Sequence, residues 1–202
     1  LALNQIQGKI LRDVGNNLES VLITTAQRLD LWVDQQANVL NQIVKSPTLV
    51  RQTELLLEVE SDPDTLLRSA ELSEIRATLE QYKDSLGPGF FIINSDGLSI
   101  ASARDSNIGT KNLIAIQRPD LLGLVFQGES IFIPPISSDV AIGNVNLAGS
   151  SSLFVAVPVR QEGGEVIAAL TMRFDPNEGF SRVLQFSRVG ESGESYAFDR
   201  NG

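Results

Sequence analysis

Apolar residues recur at three- and four-residue steps along the first part of the chain, at Leu3, Ile6, Ile10, Val14, Leu18, Val21, Leu22, Leu29, Val33, Ala37, Leu40 and Val44. That spacing lays an apolar stripe along one side of an α-helix, so the pattern predicts one long amphipathic helix. At 1.5 Å per residue such a helix reaches about 60 Å, longer than a module of this size is wide. Part of it is therefore expected to overhang and pack on something else. The plainer alternative is a core helix with a frayed start, which Gly8 and Gly15 favour. Ser46-Pro47 should end the helix, because the residue before proline is pushed out of the α region. A second helix is predicted over residues 48–59. Asp62 as N-cap and Pro63 at the first helical position open a third, running through Leu66, Leu67, Ala70, Ile75, Leu79 and Tyr82 to a stop at Gly87. Its acidic residues read as a solvated face.

From Gly89 onward the period changes to that of strands. Residues 90–94 and 98–103 form a hairpin around the short turn Ser95-Asp96-Gly97. Residues 112–127 read as two short helical turns broken at Pro119. A strand over residues 130–136 should end in Pro134-Pro135, since proline cannot donate to the middle of a ladder. Residues 137–152, rich in Ser, Gly and Asn, read as a long loop, and residues 153–160 and 166–174 as the last hairpin. Pro176 opens a helix carrying Phe180, Val183, Leu184 and Phe186. The apolar run and Gly turn at residues 90–97 is then repeated at residues 195–202, which is expected to be the first strand of a further module.

Composition narrows the functional classes. The 202 residues carry a net charge of -9, which argues against a nucleic-acid backbone or an anionic membrane face as the main partner. Any anion the chain binds must find a local cationic pocket. There is no Cys and no His. The first absence removes disulfides and thiolate sites but leaves the compartment open. The second removes the commonest general base, the commonest metal ligand and the Ser-His-Asp arrangement. No run of eighteen apolar residues occurs, so any membrane or targeting segment is expected to lie outside residues 1–202. Asn94-Ser95-Asp96-Gly97 and Asp199-Arg200-Asn201-Gly202 look like scraps of calcium loops, but neither is followed by the Glu that completes one, and turn chemistry explains both. No metal or cofactor is expected.

A long helix, a helical hairpin, a strand pair, short helices and three more antiparallel strands is an order that resembles the PAS-like sensor modules called Cache domains. The runs FFIINSDGLSIAS, RPDLLGLVFQGES and LFVAVPVRQEGGEVIAALTMRF are similar to the family's first hairpin, its short helix with the following strand, and its closing hairpin. SGESYAFDRNG resembles the opening of the second, membrane-proximal module of a double Cache domain. The resemblance covers essentially the whole chain. It implies an α+β fold in which a long N-terminal helix and helical hairpin precede a PAS-like five-stranded antiparallel sheet flanked by helices. The implied division is residues 1–88 for the helices, 89–190 for the membrane-distal module and 191–202 for the start of a truncated second one. It also implies the extracytoplasmic, periplasmic or cell-surface part of a membrane receptor with a kinase, cyclase or chemotaxis output elsewhere, and no catalysis in this piece.

A sheet with helices over one face leaves room for a ligand held by a few convergent polar groups. Arg118, just before the Pro119 break, stands where the family commonly grips a carboxylate, and its guanidinium fork suits that role. The alternative is a surface Arg in a turn. The amino-acid-binding members follow that Arg with aromatic residues and place an acid on the last strand. Here Asp120 and Leu121 occupy the first positions and Arg173 the second, unless a shift of two brings in Asp175. A cation where an ammonium should dock disfavours ordinary α-amino acids, and a small mono- or dicarboxylate is expected, provided Asp120 is not already neutralising one Arg. Phe126, Ser130 and Phe132 complete the candidate site. Strand alternation puts Ser130 and Phe132 on one face, which is either pocket or plain core. Two other readings stand beside the sensor: a ligandless stalk that forms a homodimer through the long helix, and a hydrolase working through paired carboxylates.

Overall fold

A computed structural model of the chain describes residues 2–83, 89–137 and 151–174. The predicted helix after Pro176 and the repeated phrase at residues 195–202 lie outside the described residues. The N-terminal pattern is a single helix, α1, over Ala2–Ile43, continuous through Gly8 and Gly15, where an added Cβ would meet nothing within 4 Å. Its 42 residues correspond to about 60 Å. The chain forms two compact units that divide between Val33 and Asp34. One of them, Asp34–Pro176, takes in the last turns of α1 and the whole described sheet.

Within that unit the helix starts are set by capping side chains, expected at Asp62 and found also at Ser46. The Ser46 side chain accepts from the Leu49 amide at the start of α2 (Pro47–Glu58), with Pro47 in the first turn where no amide partner is needed. Asp62 accepts from the amides of Asp64 (3.0 Å) and Thr65 (3.2 Å) to start α3. The predicted third helix is in fact two, α3 (Pro63–Arg68) and α4 (Ala70–Glu80). Ser69 makes the break. In extended backbone, its hydroxyl donates to the Leu66 carbonyl at 2.8 Å and accepts from the Leu72 amide at 3.2 Å, closing one helix and opening the next. Ser69→Ala should cost about 1 kcal/mol, the usual value of a lost cap, read as a lower urea midpoint with an unchanged slope. An unchanged midpoint would mean that packing, and not the cap, holds the corner.

The sheet is antiparallel with strand order β2-β1-β5-β4-β3. Its strands are β1 (Gly89–Ile93), β2 (Ser99–Ser102), β3 (Ile131–Ser137), β4 (Ser151–Arg160) and β5 (Val166–Phe174). The α+β class read from the sequence is borne out. Asn94 accepts from the Leu98 amide through its side chain and from the Gly97 amide through its carbonyl, so the residues that look like a calcium loop are occupied as a hairpin turn. The short helices are α5 (Leu113–Gln117) and α6 (Pro119–Phe126), split at Arg118 as expected.

One expectation about β3 fails. The strand does not end at Pro134-Pro135; it passes through them, and pairing with β4 slips between Ile133 and Ile136 before resuming at Ile136↔Ser152. β3 is an edge strand, and a proline pair is tolerated at an edge irregularity where donors face away from the ladder. Pro158 has a related explanation. β3 starts opposite Ala156, so Pro158 lies where β4 pairs only with β5, through Ala169.

Both faces of the sheet are covered, which is why β4 is buried from Ser152 to Val159 and reads as an almost unbroken apolar run. On one face Val155, Val157, Val159, Leu170 and Ile92 pack with Leu40 and Ile43 of α1, Leu49 and Leu56 of α2 and Ile75 and Leu79 of α4. On the other, Phe91, Ile93, Phe154, Ala156 and Ala169 pack with Ile114 of α5 and Leu122 and Val125 of α6. Each fully buried side chain of this size contributes about 1.5–3 kcal/mol.

Candidate ligand-binding site

The face under α5 and α6 carries polar groups that the helical face lacks. Alternation along β5 puts Thr171 and Arg173 on the same side as Ala169. Thr171 pairs across the ladder with Phe91 on β1 and Ala156 on β4. It is completely buried, and its hydroxyl has no hydrogen-bond partner among the described residues. A buried hydroxyl left without a partner costs about 1–3 kcal/mol. Arg173 is half-buried, lies between Gly89 and Phe154, and donates to the Ser152 hydroxyl. A Cβ added at Gly89, the ladder partner of Arg173, would meet nothing within 4 Å. Phe91, the ladder neighbour of Thr171, meets Phe154 at 6.1 Å between ring centroids, tilted by 44°. Ala156 and Ala169 are fully buried in the same cluster.

The six residues expected from sequence are divided between the two faces. Arg118 caps the junction of α5 and α6 with its side chain 21% exposed, and grips Asp120 through two hydrogen bonds, Nε to Oδ1 at 3.1 Å and Nη2 to Oδ2 at 3.0 Å. Asp120 is thus already neutralising this Arg, the condition under which it becomes a weaker carboxylate ligand. Phe126 packs against the cluster beneath α5 and α6, as does Leu121. Phe132 packs instead against the helical-face cluster, and Ser130 exchanges hydrogen bonds with Asn41 of α1 and lines a separate cavity of about 630 Å³. Asp175 lies outside the described residues. The two arginines are linked through neighbours: Gln117 makes two hydrogen bonds with the Ser137 backbone (2.8 and 3.2 Å), Ser137 pairs with Ser151, and the next residue, Ser152, accepts from Arg173. Thr171 was missed by sequence reading. Its signal was there, as a lone hydroxyl in Val166–Phe174 two places before Arg173 and hence on the same face.

No protein-family model matches the sequence, and no curated protein matches it. Solved structures do resemble it. The sensor domain of the V. cholerae histidine kinase DctB superposes with a TM-score of 0.59 at 22% identity, over 89% of this chain and 61% of that one. The chain therefore spans about three fifths of that domain's length. The ligand-binding domain of the Pseudomonas aeruginosa PAO1 amino-acid chemoreceptor PctC, in complex with GABA, gives 0.51 at 12% identity over 87% and 68%. The E. coli DcuS sensor domain gives 0.48 at 15% over 76% and 95%. The chain shares its fold with the DctB sensor domain.

In this fold the Arg118 pair has a definite electrostatic consequence. The hydrogen bonds from Arg118, more than its charge at a distance, hold the Asp120 carboxyl below the usual carboxylate range, against a smaller opposing effect of desolvation. A lowered folded-state pKa means that the pair's contribution is complete above the usual carboxylate range and is lost as pH falls through the lowered value. Carbon-13 titration of the Asp120 carboxyl should show the low value in the natural chain and a return upward in Arg118→Gln. An Asp120 titration unmoved by that substitution would place its stabilisation elsewhere. At neutral pH the carboxylate stays on Arg118, and an incoming anion must compete with it.

Proposed function

We infer that the chain is an extracytoplasmic ligand-sensing domain of a membrane-bound signal-transduction receptor. It binds a small carboxylate on the sheet face beneath α5 and α6, in the membrane-distal module expected over residues 89–190. The observation that carries this reading is the buried Thr171 hydroxyl, without a partner among the described residues, next to the half-buried Arg173. A hydroxyl and a guanidinium among apolar and aromatic side chains suit a ligand with one carboxylate and a compact body. The Cache fold supports a sensory role, and the solved PctC domain holds GABA, which carries a carboxylate and an ammonium. Arg173 stands where an ammonium-binding acid would be needed, so α-amino acids should bind far more weakly than plain carboxylates. In this reading the sensing piece itself catalyses nothing, its membrane attachment lies outside residues 1–202, and α1 carries the signal.

A thermal-shift panel of mono- and dicarboxylates, amino acids and uncharged amides tests this. Ligand at a hundred times its Kd stabilises by about 2.7 kcal/mol, an upward move of about 5–10 °C for a chain of this size. A panel in which only amino acids or amides raise the melting temperature would overturn the assignment.

One observation favours a second reading, a dimerising stalk. On α1, Leu22 is 70% and Leu31 68% exposed, with Val14, Leu18 and Ile23 about half exposed. Large apolar side chains left in water along one helix are the usual mark of an interface. If α1 pairs with its copy, Leu22→Glu with Leu31→Glu should convert a dimer to a monomer in sedimentation velocity without changing carboxylate binding at Arg173. A natural chain that sediments as a monomer at all concentrations would remove the stalk reading.

A further inference from the structure

The cavity of about 630 Å³ shares no lining residue with the Thr171–Arg173 site, and lies where the last turn of α1 and the first turns of α2 meet the start of β3 and the β4–β5 turn. We propose that it is a second binding site, for a monoanionic carboxylate with an apolar body. Its volume is in the range that encloses small organic ligands. Val44, Val50 and Pro158 form apolar walls.

Its charges set the sign of the occupant. Lys45, Arg51 and Arg160 converge on the cavity against two carboxylates, Glu54 and Glu162. The lining is net positive in a chain whose total is -9. Arg51 is held by Glu54 at 3.4 Å in an exposed pair one helical turn apart, a weak contact that an incoming carboxylate can share. Arg160 is fixed in place by carbonyls, donating to Gly128 at 3.1 Å and to Gly164 at 2.8 Å. Carbonyl partners orient a guanidinium without cancelling its charge. Lys45 makes no ion pair with a described residue and is exposed at the rim. Three cations against two carboxylates leave the lining one positive charge in excess, which a single bound anion offsets.

The cavity walls are joined by the Asn41–Ser130 hydrogen bonds (3.1 and 3.4 Å), which tie α1 to the residue ahead of β3. An occupant would add a bridge between the same two elements. The end of α1 would then respond to a ligand that never touches Arg173. This site does not depend on the reading of the Thr171 face.

The test uses the Arg173→Gln protein, so that the other site is disabled in every arm. Binding of 4-fluorobenzoate is followed by fluorine NMR, and the amides of Val50 and Gly128 by proton–nitrogen correlation spectra. The expected result is a saturable titration that moves both amides, weakened at least about tenfold by Lys45→Glu and absent for the uncharged 4-fluorobenzamide. Lys45→Glu replaces an exposed side chain without a described partner, so the fold is retained, and an unchanged melting temperature verifies it. The proposal is overturned if the two amides do not move, if Lys45→Glu binds as tightly, or if the benzamide binds equally well. The natural chain losing its carboxylate thermal shift through Arg173→Gln would speak only to the first site.

Discussion

Arg173→Gln should lower the affinity for a carboxylate bound beneath α5 and α6 by about a hundredfold, while leaving the melting temperature of the unliganded chain nearly unchanged. The first half follows from charge. A guanidinium on a half-buried strand contributes charge-assisted hydrogen bonds roughly twice as strong as neutral ones, and their loss costs about 2–3 kcal/mol, or one and a half to two decades. The second half follows from geometry. Among the contacts of Arg173 is the bond to the Ser152 hydroxyl, which a Gln amide can approach, and its ladder partner Gly89 offers no side chain to disturb. Arg173→Lys separates charge from shape, because it keeps the positive charge and loses the planar fork. An intermediate affinity for Lys, between Arg and Gln, is the signature of a carboxylate held by the fork. Calorimetric titration of all three forms decides the point, and equal affinities would remove Arg173 from the site. The Arg118→Gln change should have a smaller effect, since that guanidinium already holds Asp120.

The elements were legible where local chemistry decides them. The long helix, its end before Ser46-Pro47, the Asp62-Pro63 start and the Pro119 break all follow from period and capping, and all stand in the structure. The split at Ser69 was hidden because Leu66 and Ala70 stand four apart across it, a helical step, although a serine favours caps over helix interiors. The passage of β3 through Pro134-Pro135 depends on that strand's place at the sheet edge, which is tertiary information. The same dependence governs the site. That Ser130 and Phe132 share a face was readable from alternation. Which face they share depends on how β3 registers against β4, where Phe132 stands opposite Val155 and so turns to the helical side. The Arg118–Asp120 spacing was visible too, but their meeting rests on the unusual backbone of Arg118, at φ -137° and ψ 57°, which begins α6 while leaving α5.

Thr171→Val should move stability and affinity in opposite directions, and that opposition distinguishes a binding group from a structural one. Valine matches threonine in shape and has no hydroxyl to strand. At a buried position where the hydroxyl has no partner among the described residues, the replacement removes an uncompensated desolvation cost. The unliganded chain should therefore gain about 1–3 kcal/mol, seen as a higher urea midpoint. The β preference of valine, between Phe91 and Ala156 in the centre of the sheet, acts in the same direction. Carboxylate affinity should fall about tenfold at the same time, because the group that the ligand would satisfy is gone. A natural chain that keeps a hydroxyl at a cost to its own stability needs a compensating role, and a ligand supplies one. If Thr171→Val stabilises and leaves carboxylate binding intact, the hydroxyl is no part of the site. If it destabilises, the hydroxyl has a partner in the folded chain and the premise fails. Combined with Arg173→Gln, the affinity losses should be less than additive, since two groups acting on one bound carboxylate are coupled.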